Sequence, residues 1–397
     1  MSYKYIELFA GCGGMSLGLK SAGFELLFAN ELSPMAAETY SYNLIHNKKP
    51  KTNNPEGWFH RLHLADEDGT YKNDPRLYDS AKIDNEIVDQ ILKSDNGQIY
   101  VGGIKDLNKI IKKALNYNEN FDVDLLAGGP PCQSFSMVGR RELSNSRNLL
   151  PFDFVKTAKI TNPKVVLLEN VSGILRPFKD AKGNESHSWH NIALEFYKIG
   201  YIPICTNAQA AHYGVPQKRS RYVMVAIRKD IASIFLKKIN PHDRKWGSTA
   251  KQLQRSISHF KTFSGNYKKS MDFRWLEPNT DQKKELFPDE NDWPSGLLPL
   301  SKEPIFTIEK VISNLCSKES KDDDKYLKLL NKELVYSGMS RKRKSFSKDE
   351  QLNLEHRNHT IIVRARFRIL RLLSIFHDRA LGNEYLKKLE DTDIEYL

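Results

Sequence analysis

Through the first part of the chain, short apolar runs alternate with stretches whose apolar side chains recur at helical spacing, and that alternation predicts a sheet wound by helices. Tyr3 to Phe9 reads as a buried strand running into a glycine turn, Ala10 to Gly14, and Met15 to Ala22 reads as an amphipathic helix closed by Gly23. A second apolar run, Phe24 to Ala29, ends at the acidic Glu31. From Ile45 to Gly97 the residues turn to Lys, Asn, Asp and Pro, with apolar rhythm around Ile83 to Leu92, so a surface insertion at about 46–98 with one short helix is expected. Core character returns in a strand at Ile99 to Gly103, a lysine-rich helix at Asp106 to Asn116 and a strand at Asp122 to Ala127. Leu149 to Thr161 has helical spacing, and Lys164 to Leu168 is an apolar strand with Glu169 and Asn170 directly after it. Trp189 to Ile199 reads as a helix closed by Gly200, and Tyr201 to Thr206 and Tyr222 to Ile227 read as further strands.

Beyond Lys229 the pattern loosens into a mixed Trp, Pro and Lys region reaching about Pro304, followed by a short helix at Ile308 to Leu315 and a hydrophilic linker, SKESKDDDK. The basic cluster RKRKSFSK, Arg341 to Lys348, precedes a run from Thr360 to Phe376 that reads as a basic amphipathic helix. The expected division is a large α/β domain over residues 1–230 and an irregular, helical region over 231–397.

Charge changes this picture. A formal net charge of +12 and a pI near 9.2 point to a polyanionic partner, although a lysine-rich composition alone produces part of the excess. The four cysteines, Cys12, Cys132, Cys205 and Cys316, are scattered without metal-ligand spacing, so neither a metal site nor a disulfide framework is expected. No run approaches the ~18 to 20 apolar residues of a membrane span, which leads to the expectation of a cytoplasmic protein in a reducing compartment.

The chemistry concentrates at the expected strand ends. In GGPPCQSFS, Gly128 to Ser136, two prolines precede Cys132 where a parallel strand gives out, which is where open α/β sheets bind ligands. A thiolate there is a soft nucleophile, and a buried inert thiol is the alternative. Glu31, about 20 residues beyond the glycine turn, stands where a ribose-binding carboxylate would. The glycines do not spell GxGxxG, so a nucleoside cofactor without a pyrophosphate, S-adenosylmethionine, fits better than a dinucleotide; a plain tight turn is the other reading. Arg219 and Arg221 sit at alternate positions ahead of a strand and so project together, asking for phosphate, a polar base edge or a carboxylate. Ser134 to Arg147 is polar and basic, with Arg140, Arg141 and Arg147 as phosphate contacts or plain surface charges.

Taken together, ELFAGCGG, Glu31, GGPPCQSFS, LLENV and QKRSR follow the order and approximate spacing of the cytosine-C5 DNA methyltransferases, which the chain closely resembles from about residue 3 to residue 228 outside the insertion. That resemblance implies a Rossmann-like class I S-adenosylmethionine-dependent methyltransferase fold, a mixed, mostly parallel sheet with helices on both faces. It implies Cys132 as the nucleophile at cytosine C6, Glu169 as the acid facing N3, and Arg219 and Arg221 at the O2 edge and phosphate. For the cofactor it implies Phe9, Cys12 and Gly14 near the methionine end, Glu31 at the ribose and Leu32 and Ile104 flanking adenine, with Gly129, Pro131 and Leu150 lining the pocket. The substrate implied is double-stranded DNA whose target base leaves the stack, in a restriction-modification setting.

Two departures from the family pattern are visible. The triplet that usually carries an acid for the adenine amine reads Gly102, Gly103, Ile104 here, with Asp106 one turn on as a substitute. No GN-Val-Pro-like closing motif follows the arginine segment, since Gly382 and Asn383 run into Glu-Tyr-Leu. The reading drawn is a split enzyme in which a second subunit supplies target recognition and the final motif. The rival readings are a tRNA cytosine-C5 methyltransferase and a non-catalytic DNA-binding subunit of a methyltransferase complex.

Overall fold

The computed structural model describes residues 2–46, 59–63, 87, 91, 97–115, 122–131, 149–179, 185–213, 215, 217, 219–239 and 246–263. The short helix expected around Ile83 to Leu92 (apart from 87 and 91), Cys132 and the loop after it, and every element expected beyond residue 263 lie outside the described residues.

Strand β1 (Tyr3–Leu8) leads through the glycine turn into helix α1 (Gly14–Ser21), and β2 (Phe24–Glu31) is followed by α2 (Pro34–Ser41). The insertion returns a two-residue strand β3 (His60–Arg61) before β4 (Gln98–Val101), α3 (Ile104–Leu115) and β5 (Leu125–Gly128). Then come α4 (Leu150–Thr161), β6 (Val165–Val171), a small ribbon of β7 (Phe178–Lys179) with β8 (Glu185–Ser186), and α5 (Ser188–Lys198). A hairpin of β9 (Tyr201–Gln209) and β10 (Ser220–Arg228) precedes α6 (Lys229–Lys238) and α7 (Gly247–Thr262).

The main sheet runs β3-β4-β2-β1-β5-β6-β10-β9. Every pairing from β3 to β6 is parallel, while β10 is antiparallel to both β6 and β9. A parallel strand is covered on both faces, which is why these strands read as continuous apolar runs rather than alternating ones. One face is covered by α3, α4 and α5, whose Leu107, Ile111, Phe154, Trp189 and Phe196 join Ile6, Phe28, Leu126 and Leu168 in the largest apolar cluster. On the other face Leu19 of α1 and Ala37 and Tyr40 of α2 pack on Tyr5, Leu26, Val101 and Ala127. Helices therefore lie on both faces of a mixed, mostly parallel sheet, as the resemblance implied.

Three helices carry weak sequence signals. In α2 the cap is legible afterwards: Ser33 accepts from the Ala36 N–H and Pro34 opens the first turn. Helices α6 and α7 pack through Ala232 and Leu253 onto Ile202 and Ile204 of β9, so the layered core runs on past residue 230. A second difference concerns Glu169 and Asn170, which belong to β6 instead of following it, because β10 continues the ladder opposite them as far as Val171. Among the described residues no helix is long and apolar enough to cross a membrane.

At the centre of the sheet, β5 closes against β1 without room for a side chain at Gly128. A Cβ there would lie 2.5 Å from the Leu8 carbonyl oxygen and 2.8 Å from the Phe154 ring. Gly128→Ala should therefore destabilise the fold by about 1–3 kcal/mol, the usual cost of overpacking. Urea unfolding of the variant against the parent measures this, and an unchanged midpoint would show that strand and helix give way freely.

Candidate functional site

Register brings the chemistry to one edge. Leu8 of β1 pairs with Asn30 of β2 and Gly128 of β5, Gly128 pairs with Leu168 of β6, and Glu31 pairs with Val101 of β4. The C-terminal ends of β1, β2, β4 and β5 are thus level, while β6 runs on past Leu168 to Val171, and all five strands end on the same side of the sheet.

After β1 the chain makes three left-handed residues, Phe9 (φ 56°), Gly11 (φ 53°) and Gly13 (φ 92°). For Phe9 that conformation is strained, and it is held by packing against the large core cluster and by the next residue, whose N–H donates to the Asn30 carbonyl at 3.0 Å. Gly13 is enclosed by α2, since a Cβ on it would lie 2.9 Å from Cδ2 of Tyr40, whereas a Cβ on Gly11 or Gly14 would meet nothing within 4 Å. The turn is anchored behind and open in front. Cys12 is exposed in it, and Gly14 begins α1.

Glu31 faces this turn with both oxygens engaged. Oε2 accepts the Gly11 N–H at 2.8 Å and Oε1 accepts the Ser33 N–H at 2.9 Å. Two backbone donors fix the carboxylate where strand β2 ends, with Leu32 half-buried beside it.

Beyond β2, Asn30 reaches across to β4, donating through Nδ2 to the carbonyls of Tyr100 (3.0 Å) and Gly102 (3.1 Å). The insertion takes part here. Leu62, fully buried, leaves no room at Gly102, where a Cβ would be 2.6 Å from its Cδ1, and the Leu62 N–H donates to Val101 at 3.0 Å. His63 lies 3.3 Å from Oδ2 of Asp106, and the other oxygen of Asp106 is 3.2 Å from Lys109. Asp106 Oδ2 stands 3.9 Å from the Cβ position of Gly103, so the carboxylate lies in ordinary contact with the place where a side chain at 103 would start. Ile104 opens α3 and is buried in the core, while Leu150 opens α4 and is half-buried.

Across β5 and β6 a second cluster forms. Asn170 donates through Nδ2 to the Pro130 carbonyl at 2.9 Å and accepts the Val171 N–H at 2.8 Å, tying the proline segment to β6. On the opposite face of that strand Glu169 points its Oε2 to within 3.1 Å of where a Gly129 side chain would start. Its Oε1 is 2.7 Å from Nε of Arg221, a diagonal neighbour across the β6–β10 ladder. Burial pushes the Glu169 carboxyl above its ordinary value and the Arg219 charge pulls it back. The Arg221 contact favours the ionised form as well. Glu169 is therefore poised between desolvation, which asks for a proton, and two guanidinium groups, which ask for a charge.

Of the residues singled out from the sequence, Phe9, Cys12, Gly14, Glu31, Leu32, Ile104, Gly129, Pro131, Leu150, Glu169, Arg219 and Arg221 all stand at this edge or at the start of the helices leaving it. Cys132, Arg140, Arg141 and Arg147 lie outside the described residues; Pro131 is the last one before them. Sequence reasoning missed His63, hidden in an insertion without periodicity, and Ser33, for which the Ser-Pro pair was the available signal. It also missed the carboxyl of Glu7, buried behind the turn.

Comparison with known proteins gives the following. Residues 3–58 and 80–371 match the model of a family described as C-5 cytosine-specific DNA methylase. The chain is 31% identical over 225 residues to Type II methyltransferase M.DdeI of Desulfomicrobium norvegicum, covering 57% of this chain and 40% of that one. It is 28% identical over 310 residues to Type II methyltransferase M1.HphI of Haemophilus parahaemolyticus, covering 76% and 66%. A crystal structure of a DNA modification methyltransferase encoded within an E. coli prophage aligns with 24% identity over 58% of this chain and 48% of that one, with a TM-score of 0.38. The chain thus spans between 40% and 66% of the length of these two curated relatives.

The balance at Glu169 is open to measurement. Arg219→Ala removes a charge that lowers its proton affinity, so the Glu169 titration, followed by carbon NMR of labelled glutamate, should move upward from that of the parent. A titration that stays in place would show that the Arg219 charge is screened out at this site.

Proposed function

Because the chain belongs to the C-5 cytosine-specific DNA methylase family, we propose that it transfers a methyl group from S-adenosylmethionine to C5 of a cytosine in double-stranded DNA, as the modification enzyme of a restriction-modification system. The observation that carries this reading is the pairing of Glu169 with Arg221 beside Gly129 and Pro130, level with the Glu31-braced glycine turn. One half of the edge suits a nucleoside and the other a flipped base.

The turn fits the cofactor: its outer side is open at Gly11 and Gly14, and Glu31 offers a fixed carboxylate for ribose hydroxyls. Asp106, steadied by His63, is the acceptor assigned to the adenine amine in place of an acid at Gly103. When bound, the cofactor supplies an electrophilic methyl group on a sulfonium.

Cytosine C5 is a poor nucleophile until electron density is pushed onto it. In the proposed sequence the Cys132 thiolate bonds to C6, the C5–C6 π pair moves to C5, and Glu169 donates a proton towards N3 so that charge does not accumulate on the ring. For Glu169 to hold that proton Arg221 must turn from it, and the O2 edge or a phosphate of the incoming nucleotide is what Arg221 turns to. After C5 has taken the methyl group, its proton leaves to a base, the C–S pair returns to sulfur and the N3 proton goes back to Glu169, restoring the ring, the thiolate and the acid. A base within a duplex is out of reach, so the nucleotide rotates out of the stack, and the basic segment after Cys132 is assigned to the vacated backbone. The proposal extends to a second chain that supplies target selection; the family match runs on to residue 371, and what supports the second chain is that Gly382 and Asn383 run into Glu-Tyr-Leu in place of the closing motif.

Three outcomes test this. Cys132→Ser should lose methylation and the trapping of DNA carrying 5-fluorocytosine while still binding the cofactor; near-parental methylation by the variant would sink the mechanism. Glu169→Gln keeps the shape but removes the proton donor, so turnover should fall by about 10²-fold or more with the melting temperature held. The 397-residue chain alone should bind DNA in a salt-sensitive, sequence-independent way and methylate little. Efficient site-specific methylation by it alone would remove the second chain from the proposal and leave the catalytic assignment in place.

A further inference from the structure

Behind the glycine turn lies an acid that the proposed chemistry does not use. Glu7 of β1 is 2% exposed, and the residues around it, Tyr5, Ser16 and Tyr40, are fully buried. Its Oε2 accepts from the Ser16 hydroxyl and from Tyr40 Oη at 3.3 Å, and the Ser16 backbone N–H in the first turn of α1 donates to it too. Ser16 Oγ also meets the hydroxyls of Tyr5, at 2.7 Å, and Tyr40. The network thus joins β1, α1 and α2, the three elements that hold the turn. Tyr40 connects it directly, because the same ring closes off Gly13.

Counting protons shows how it is balanced. The contacts Tyr5–Ser16, Ser16–Glu7, Ser16–Tyr40 and Tyr40–Glu7 need four protons, and the hydroxyls of Tyr5, Ser16 and Tyr40 bring three. A proton on Glu7, given to Ser16 or Tyr40 in place of the bond accepted from that hydroxyl, completes the set; without it one pair of oxygens faces lone pair to lone pair. Burial supports the protonated form, holding the carboxyl up at about 7, with Glu31 of β2 adding to the effect. Among the charged and titratable groups around it, Tyr5 and Tyr40 are neutral and Lys20 of α1 turns its ammonium to the Leu44 carbonyl. No cation among the described residues answers this carboxylate.

We propose that Glu7 is a positioning residue of the cofactor turn that gives up its proton when a cationic ligand is held there and regains it when that ligand becomes neutral. The inference rests on S-adenosylmethionine occupying this turn. The sulfonium carries a charge that the demethylated thioether product lacks, so an ionised Glu7 favours the methyl donor over the product. Transfer of the methyl group therefore removes the charge that kept Glu7 ionised.

The test is equilibrium binding of S-adenosylmethionine and S-adenosylhomocysteine to the full chain, parent and Glu7→Gln, between about pH 6 and pH 8. For the parent, affinity for the sulfonium should rise several-fold with pH and level off above about 7, while affinity for the thioether stays nearly flat. The variant should bind both with no pH dependence. Equal slopes for the two ligands in the parent, or a retained slope in the variant, overturn the inference and leave the cofactor assignment standing. Failure of the parent to bind either ligand at any pH overturns that assignment and the inference with it. Stability gives a reading without ligand. A carboxyl whose folded-state value is raised costs stability as pH rises towards about 7, so Glu7→Gln should melt above the parent near pH 8 and level with it near pH 5. A variant that gains nothing at the higher pH counts against a titrating Glu7.

Discussion

The shared register of β1, β5 and β6 is the constraint on which the site depends. Leu8, Gly128 and Leu168 are in register, and the missing side chain at Gly128 lets β5 lie close against the Leu8 carbonyl while Phe154 of α4 seals it from one face. A slip of one residue along any of these strands would turn its inward and outward side chains over. Glu31 would then leave the glycine turn and Glu169 would leave Gly129. The chemistry is thus fixed by packing in the middle of the sheet, and the turns inherit their positions from it.

Much of this was readable in advance because buried parallel strands leave a strong trace. Runs such as Tyr3 to Phe9 and Lys164 to Leu168 have few other interpretations when glycine or an acid ends them. Glu31 was visible for the same reason, as the first charged residue after an apolar run. What escaped depends on partners far away in sequence. Glu169 was placed after its strand because a carboxylate usually ends one; it lies within β6 because the antiparallel β10 supplies Arg221 alongside it. Helices α6 and α7 bury narrow faces such as Ala232 and Leu253 among lysines and polar residues, and only β9 beneath them makes those faces count. Glu7 looked like an ordinary strand residue, since the hydroxyls that surround it come from residues 5, 16 and 40.

The insertion shows how an unpatterned stretch can still shape the site. Two residues of edge strand suffice to set Leu62 under Gly102 and to lay His63 against Asp106. A glycine at 102 is required by that contact, while at Gly103 the Asp106 carboxylate from the first turn of α3 comes within 3.9 Å of the Cβ position. The bare backbone at 102 thus goes with the insertion, because Leu62 packs onto it.

Charge divides the edge along its length. On the β1–β2 side Glu7 and Glu31 stand in no ion pair among the described residues, and on the β6–β10 side Glu169 is answered by Arg219 and Arg221. Burying a carboxylate without a cation is costly unless the group keeps its proton, and burial pushes the Glu7 carboxyl up to about 7. If S-adenosylmethionine occupies the turn as proposed, its charge relieves that cost and the neutral product restores it. Glu169 is placed differently. Its cations are built in: burial pushes its carboxyl up while the guanidinium groups of Arg219 and Arg221 hold it back. The two halves of the edge thus differ in whether, among the described residues, an acid has a cation paired with it.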